Sequence, residues 1–177
     1  MIDNRPVFRR NETLSPVERH LIRLKPSGTR PNMKPLRIVF ADDHELVRKG
    51  LKVLLESQAG WKVVGEAATG RQVVELAEKL HPDVVILDIT MPEMDGLEAA
   101  RRLRQRVPKA ELLVLTVHDS ENMVRQALQT GVRGYVLKAD AGRQLLTGVE
   151  AVRRHKRYLS TGVPRTSQEP GKLPAGS

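Results

Sequence analysis

"VVILDITMPEMDG", residues 84–96, decides how the rest of the chain is read. Four apolar residues with branched side chains run straight into Asp88. A strand of that composition is buried on both faces, as in a parallel sheet covered by helices on each side. A carboxylate at its mouth needs a reason to be there. Pro92 and the Asp95-Gly96 pair then turn the chain into a helical stretch in which Leu97, Ala100 and Leu103 recur at helical spacing.

Outward from this stretch the same alternation repeats. Apolar runs at 37–41, 61–67, 83–87, 111–116 and 134–138 read as strands. Between and after them, helix-period faces are carried by Val47, Leu51, Leu54 and Leu55, then by Val73, Val74, Ala77 and Leu80. Val124, Ala127 and Leu128 mark the fourth face, and Leu145, Leu146, Val149 and Val152 the fifth. Five such units predict a doubly wound α/β fold with a five-stranded parallel sheet.

Composition bounds the rest. The chain has 177 residues and a net charge of +9. That charge lies at the ends: +5 in residues 1–35 and +3 in 156–177, with only +1 in 36–155. Residues 1–35 hold five prolines and no long apolar run, so they read as a mostly disordered basic extension. A capping box, "SPVE" at 15–18, predicts one short helix there, at 16–25. Residues 1–32 are expected to be dispensable for the fold. Residues 36–160 form the domain, and 161–177 read as a polar, disordered tail. There is no cysteine, which excludes disulfides and thiolate metal sites. No signal peptide or membrane-length apolar run is present, so a cytoplasmic protein without a membrane anchor is expected.

In open parallel sheets, ligands bind beyond the carboxyl ends of the strands. There the first strand ends in Asp42-Asp43, the third in Asp88, the fourth in Thr116 and the fifth in Lys138. Singly, each has an ordinary explanation: a helix cap, a β-forming threonine, a solvated lysine. Together they place three carboxylates, a hydroxyl and one ammonium in one crevice, at a net charge of −2. Carboxylates so close repel each other. A hard divalent cation, Mg2+ or Mn2+, relieves that repulsion through oxygen ligands alone. With the cation in place, a carboxylate becomes a competent nucleophile toward phosphorus. Thr116 is then a hydrogen-bond donor to a phosphoryl oxygen.

The stretches "FADDHELVRKGL", "VVILDITMPEMDGLEAARRLR", "LLVLTVHDSE" and "GVRGYVLKADA" resemble the receiver domain of two-component response regulators, most closely the NarL/FixJ-type subgroup. The resemblance covers about 36–160. It implies a flavodoxin-like sheet of strand order 2-1-3-4-5 with its crevice between strands 1 and 3. It implies that Asp88 accepts a phosphoryl group from a sensor histidine kinase or a phosphotransfer protein. Asp43 and Asp88 would ligate Mg2+ (or Mn2+) together with the backbone carbonyl of Thr90, and Asp42 would act mainly through water. Lys138 would pair with the phosphoryl group, Thr116 would move to bond it, and Tyr135 would be the switch aromatic that turns inward. Enzymatic activity would be limited to self-catalysed phosphotransfer and autodephosphorylation. By position, Thr90 and His118 flank the line of water attack and are expected to set the phosphoryl lifetime.

The chain departs from the family pattern in two places. Lys138 is followed by Ala139 where many receivers have proline. Only 17 residues follow Ser160, too few for the helix-turn-helix of DNA-binding relatives. The expectation is a receiver without that output domain, or a fragment of a longer DNA-binding regulator. Its reader would be a protein on the side of the fourth helix, fifth strand and fifth helix, or a second copy in a homodimer, with no sequence-specific DNA binding by this chain alone. A phosphorylation-independent adaptor is the alternative, disfavoured because Asp43, Asp88, Thr116 and Lys138 are all present. Haloacid-dehalogenase-like phosphatases need a second aspartate where Thr90 stands, and a dinucleotide fold needs glycines where "ADDHEL" stands. The histidines read as capping or surface residues, except His118 near the mouth of the crevice. Met91 and Met94 read as packing residues, and the arginines of 101–106 as solvated.

Overall fold

A computed structural model describes residues 34–164. The helix expected at 16–25 lies outside the described residues, as does the tail beyond Pro164. The elements alternate without exception: β1 (Leu36–Ala41), α1 (Glu45–Glu56), β2 (Trp61–Ala67), α2 (Gly70–Leu80), β3 (Val84–Leu87), α3 (Gly96–Arg106), β4 (Glu111–Thr116), α4 (Glu121–Gln129), β5 (Gly134–Leu137) and α5 (Ala141–Arg153). A 3-10 turn, Lys138–Asp140, links β5 to α5, and β6 (Tyr158–Leu159) follows.

The sheet has six strands, not five, in the order β2-β1-β3-β4-β5-β6, and each neighbouring pair is parallel. The sixth strand is two residues long, too short for any period to show in sequence. It exists because the edge of β5 offers it partners. Residues 161–164, assigned to the tail on composition, also pack on the domain, with Val163 only 2% exposed. Val163 is a lone apolar residue between glycine and proline, and only the pocket beneath it explains its burial.

Alternation along the strands sorts the core into two layers, because successive side chains point to opposite faces. Val39, Val85, Leu87, Leu112, Val114, Tyr135 and Leu137 face α2, α3 and α4. Ile38, Phe40, Val84, Ile86, Leu113, Leu115 and Val136 face α1 and α5. Complete burial of one such side chain contributes about 1.5–3 kcal/mol, so each central strand anchors both layers. Met91 and Met94 are buried with the first layer, as expected of packing residues.

The helices start where the sequence places a cap. Thr69, Asp95 and Ser120 each accept a hydrogen bond from the backbone N–H three residues on. α1 and α5 differ: Asp140 precedes α5 without a side-chain cap, and His44 does the same at α1, where Asp42 Oδ1 accepts the His44 N–H at 2.9 Å. His81 closes α2 in the left-handed region, at φ 46°.

At the opposite end of the sheet from the aspartates, Glu111 is buried at the start of β4. Arg133 Nε donates to it at 2.8 Å, His155 Nδ1 at 2.7 Å, and Arg104 Nη2 lies 3.6 Å away. Arg104 is thus not simply solvated: it also donates to the carbonyls of Gly131 and Ala110. Burial pushes the Glu111 carboxyl up, but the bonds from Arg133 and His155 and the charges of Arg133 and Arg104 outweigh it and hold it below the ordinary carboxylate value. A carboxyl depressed in the folded state contributes stability above its unfolded value of about 4.3, and that stability is lost as pH falls through the folded value. Glu111→Gln is expected to lower stability by about 1–3 kcal/mol near neutral pH. The gap to the unaltered chain should close below about pH 4. Denaturant unfolding of both proteins at neutral and acid pH checks this, and an equal loss at both would remove the ion-pair account.

Candidate functional site

β1 and β3 are neighbours, and Ala41 pairs with Leu87 in register. Asp42 and Asp88 are the next residue on each strand, so the register alone brings them side by side at the carboxyl end of the sheet. Both are buried, at 1% and 3% exposure. Lys138 reaches them from the end of β5: its Nζ lies 2.6 Å from Asp42 Oδ2 and 2.6 Å from Asp88 Oδ2. Burial works to lower the Lys138 pKa, but the hydrogen bonds and charges of Asp42 and Asp88 outweigh it and raise it above the ordinary lysine value. The ammonium is therefore held charged between the two carboxylates.

The third carboxylate, Asp43, is exposed and faces His44, whose Nδ1 lies 2.8 Å from Asp43 Oδ1 and 3.3 Å from Asp42 Oδ1. Asp42, Asp43 and His44 each bring one potential ligand atom to a common point. His44 is the member of this group that its sequence context concealed, since it reads there as a surface residue before a helix. The donor set fits a divalent cation. Asp42 Oδ2 is fully buried and meets only the Lys138 ammonium, and the carbonyl of Thr90 accepts no hydrogen bond from another described residue. Carboxylate and carbonyl oxygens of this kind are the ligands a hard cation takes.

The loop from Asp88 to Gly96 is tightly built. Thr90 N donates to Asp88 Oδ1 at 3.4 Å, Met94 N to the Pro92 carbonyl at 2.7 Å, and Gly96 N to the Ile89 carbonyl at 2.9 Å. The turn at Pro92–Met94 puts Glu93 at φ 65°, in the left-handed region.

Thr116 is fully buried at the end of β4, and its Oγ1 accepts the His118 N–H at 3.4 Å. His118 Nε2 sits 2.8 Å from Thr90 Oγ1, so two residues chosen by position on separate loops touch each other. Tyr135 points inward: its ring is fully buried, and its hydroxyl donates to the His118 carbonyl at 2.8 Å. Burial, with the charges of Asp119 and Asp88, pushes the Tyr135 hydroxyl well above the ordinary tyrosine value, so it stays a donor. No single residue in the sequence announces this chain of contacts, because each link joins segments far apart in the chain.

Within the side expected to meet a partner, the β5 edge is lined by β6 and Ser160 of this chain.

Comparison with known proteins agrees with this geometry. Residues 38–150 match the family model of the response regulator receiver domain. The transcriptional regulatory protein DegU of Brevibacillus brevis is 41% identical over 132 residues, 75% of this chain and 56% of the relative. The response regulator protein VraR of Staphylococcus aureus is 35% identical over 129 residues, 73% of this chain and 60% of the relative. This chain thus spans less than two thirds of these relatives' length. Among solved structures, a LuxR-family two-component response regulator from Aurantimonas aligns with a TM-score of 0.72 at 33% identity, over 76% of this chain and 96% of that one. The receiver domain of NarL from Mycobacterium tuberculosis aligns with a TM-score of 0.67 at 34% identity, over 70% of this chain and 100% of that one. Among the described residues no helix is long and apolar enough to cross a membrane. A family match across most of the described residues, with relatives and structures agreeing on the same region, leaves one assignment: the chain belongs to the response regulator receiver domains.

Proposed function

We propose that this chain is a phosphoacceptor switch in which Asp88 takes a phosphoryl group from a histidine kinase or phosphotransfer protein. The observation that carries this reading is the Lys138 ammonium shared between Asp42 and Asp88 in a buried crevice. A buried carboxylate beside a fixed cation is poised to bond an incoming phosphoryl group whose charge that cation meets. In the transfer, an Asp88 oxygen attacks phosphorus, an O–P bond forms, and the donor's P–N bond breaks with its electron pair returning to the imidazole. Asp43, Asp88 and the Thr90 carbonyl would hold Mg2+ or Mn2+, with Asp42 acting mainly through water. When bound, the ion supplies positive charge that screens the phosphoryl oxygens. Thr116 would turn its hydroxyl to a phosphoryl oxygen, which requires giving up the His118 N–H. Incubation with acetyl phosphate should add one phosphoryl group by intact mass only when Mg2+ is supplied. Equal labelling with the ion chelated would remove the metal from this account.

Hydrolysis returns Asp88 to a carboxylate when water attacks phosphorus and the acyl phosphate O–P bond breaks. Thr90 and His118 guard that approach as one hydrogen-bonded pair, not as two independent residues. Thr90→Ala and His118→Ala are each expected to change the dephosphorylation rate several-fold, with Mg2+ affinity nearly unchanged. The double variant should do little more than either single one, the non-additivity of residues in contact. Decay rates that multiply across the two changes would refute the paired gate.

The partial span of the curated relatives favours a further reading, that this receiver is part of a longer transcriptional regulator. The +1 charge of residues 36–155 still argues that the receiver itself does not read DNA sequence. Weak, salt-sensitive contact through the basic ends is expected instead. Tight, promoter-selective binding by this chain alone would overturn that.

A further inference from the structure

β5 carries Tyr135 and ends at Leu137, one residue before Lys138. Residues 158–163 are fastened along it. Tyr158 N donates to the Arg133 carbonyl at 3.0 Å and Ser160 N to the Tyr135 carbonyl at 2.9 Å. The third bond is of a different kind: the buried Leu137 N–H is held by the Ser160 hydroxyl at 3.1 Å, not by a backbone carbonyl. Ser160 is fully buried, and Val163, its N–H bonded to the Ser160 carbonyl at 3.0 Å, sits in the same apolar layer as Tyr135 and Leu137. Gln144 of α5 ties the segment from the side, bonding the Tyr158 hydroxyl and both the N–H and hydroxyl of Thr161. Gly162 N reaches Asp140 Oδ2 at 3.3 Å, in the turn that Lys138 opens.

We infer that residues 158–163 are a strap that reports the state of Asp88 to whatever follows it in the chain, with Ser160 as the coupling residue. This rests on the phosphoacceptor reading of Asp88. Both switch inputs converge on β5. Lys138 must re-aim its ammonium from the two carboxylates to a phosphoryl group, and it directly follows the N–H that Ser160 holds. Tyr135 is tied through His118 to the loop after Thr116, and its own carbonyl anchors Ser160 N. A movement of β5 by a fraction of a hydrogen bond's length therefore strains the Ser160 contact first. At Leu137 the fastening is a single side-chain hydroxyl, weaker than the backbone ladder that holds Tyr158 and Leu159 to β5. The strap thus has two states, fastened and loosened, that a phosphoryl group biases.

The test is amide hydrogen exchange at Leu137, Ser160 and Val163 in the full chain, with Mg2+ alone and with Mg2+ plus beryllofluoride as phosphoryl mimic. Exchange at these amides is expected to rise about tenfold with the mimic, while central β3 amides stay protected. Ser160→Ala should already exchange fast and respond no further. Because coupling is reciprocal, Ser160→Ala should also bind beryllofluoride several-fold more tightly, an effect that mere destabilisation does not produce. Gln144→Ala, which leaves the Ser160 contacts in place, should raise basal exchange yet keep the response to the mimic. It decides the matter if Ser160→Ala fails to fold, and a Gln144→Ala protein without that response would overturn the strap. Unchanged exchange at the strap in a chain that acetyl phosphate labels on Asp88 would overturn the strap and leave the phosphoacceptor reading standing. No label on Asp88 would overturn both.

Discussion

Replacing Asp88 with asparagine is expected to abolish phosphoryl uptake from acetyl phosphate completely, while the domain still folds. The amide is nearly the same size as the carboxylate but lacks a nucleophilic oxygen. Lys138 keeps its partner Asp42 at 2.6 Å, so the cation is not stranded when Asp88 loses its charge. Intact-mass spectrometry should show one added phosphoryl group on the unaltered chain and none on Asp88→Asn. The variant's melting temperature should stay close to the parent's. Full labelling of Asp88→Asn would mean that another residue is the acceptor. Asp43, the exposed carboxylate that follows Asp42, would be the first to examine.

Gly96→Ala is expected to be the most destabilising single methyl in the domain, costing about 3 kcal/mol or more. A Cβ at Gly96 would lie 2.0 Å from the Asp88 carbonyl oxygen and 2.9 Å from Ile89 Cα. Those are backbone atoms of the strand end itself and cannot swing aside as a flexible side chain would. Gly96 N also donates to the Ile89 carbonyl at 2.9 Å, so relief of the clash would break the bond that closes the loop. The same displacement would move Asp88, so labelling should fall along with stability. Gly50→Ala is the control. It lies inside α1 with no atom within 4 Å of its would-be Cβ, and it should gain about 0.5–1 kcal/mol from helix propensity. Thermal or denaturant unfolding of the two variants would separate them cleanly. A Gly96→Ala protein as stable as the parent would show that the loop is not held as described.

The α/β class, the five alternating units and the acidic strand ends were legible because they follow from local pattern. A doubly buried strand reads as an unbroken apolar run, and "VVIL" before Asp88 reads so because helix-period segments flank it on both sides. The aspartates, Thr116 and Lys138 could be grouped because strand ends converge whenever a sheet is parallel. Tertiary structure decided what depends on contact between distant segments. Two residues at 158–159 carry no period, and only the free edge of β5 makes them a strand. Ser160 looks like an ordinary tail serine until the Leu137 N–H stands beside it. His118 and Thr90 are 28 residues apart, and no spacing rule joins them. Lys138 was readable as a cation near the site, but its equal reach to Asp42 and Asp88 is set by the register of the sheet, in which β5 ends level with β4 and both run past the end of β3. Sequence determined which groups arrive at the crevice, since burial pattern is a local property. The fold decided which of them touch, since a hydrogen bond depends on distances that only the packed sheet supplies.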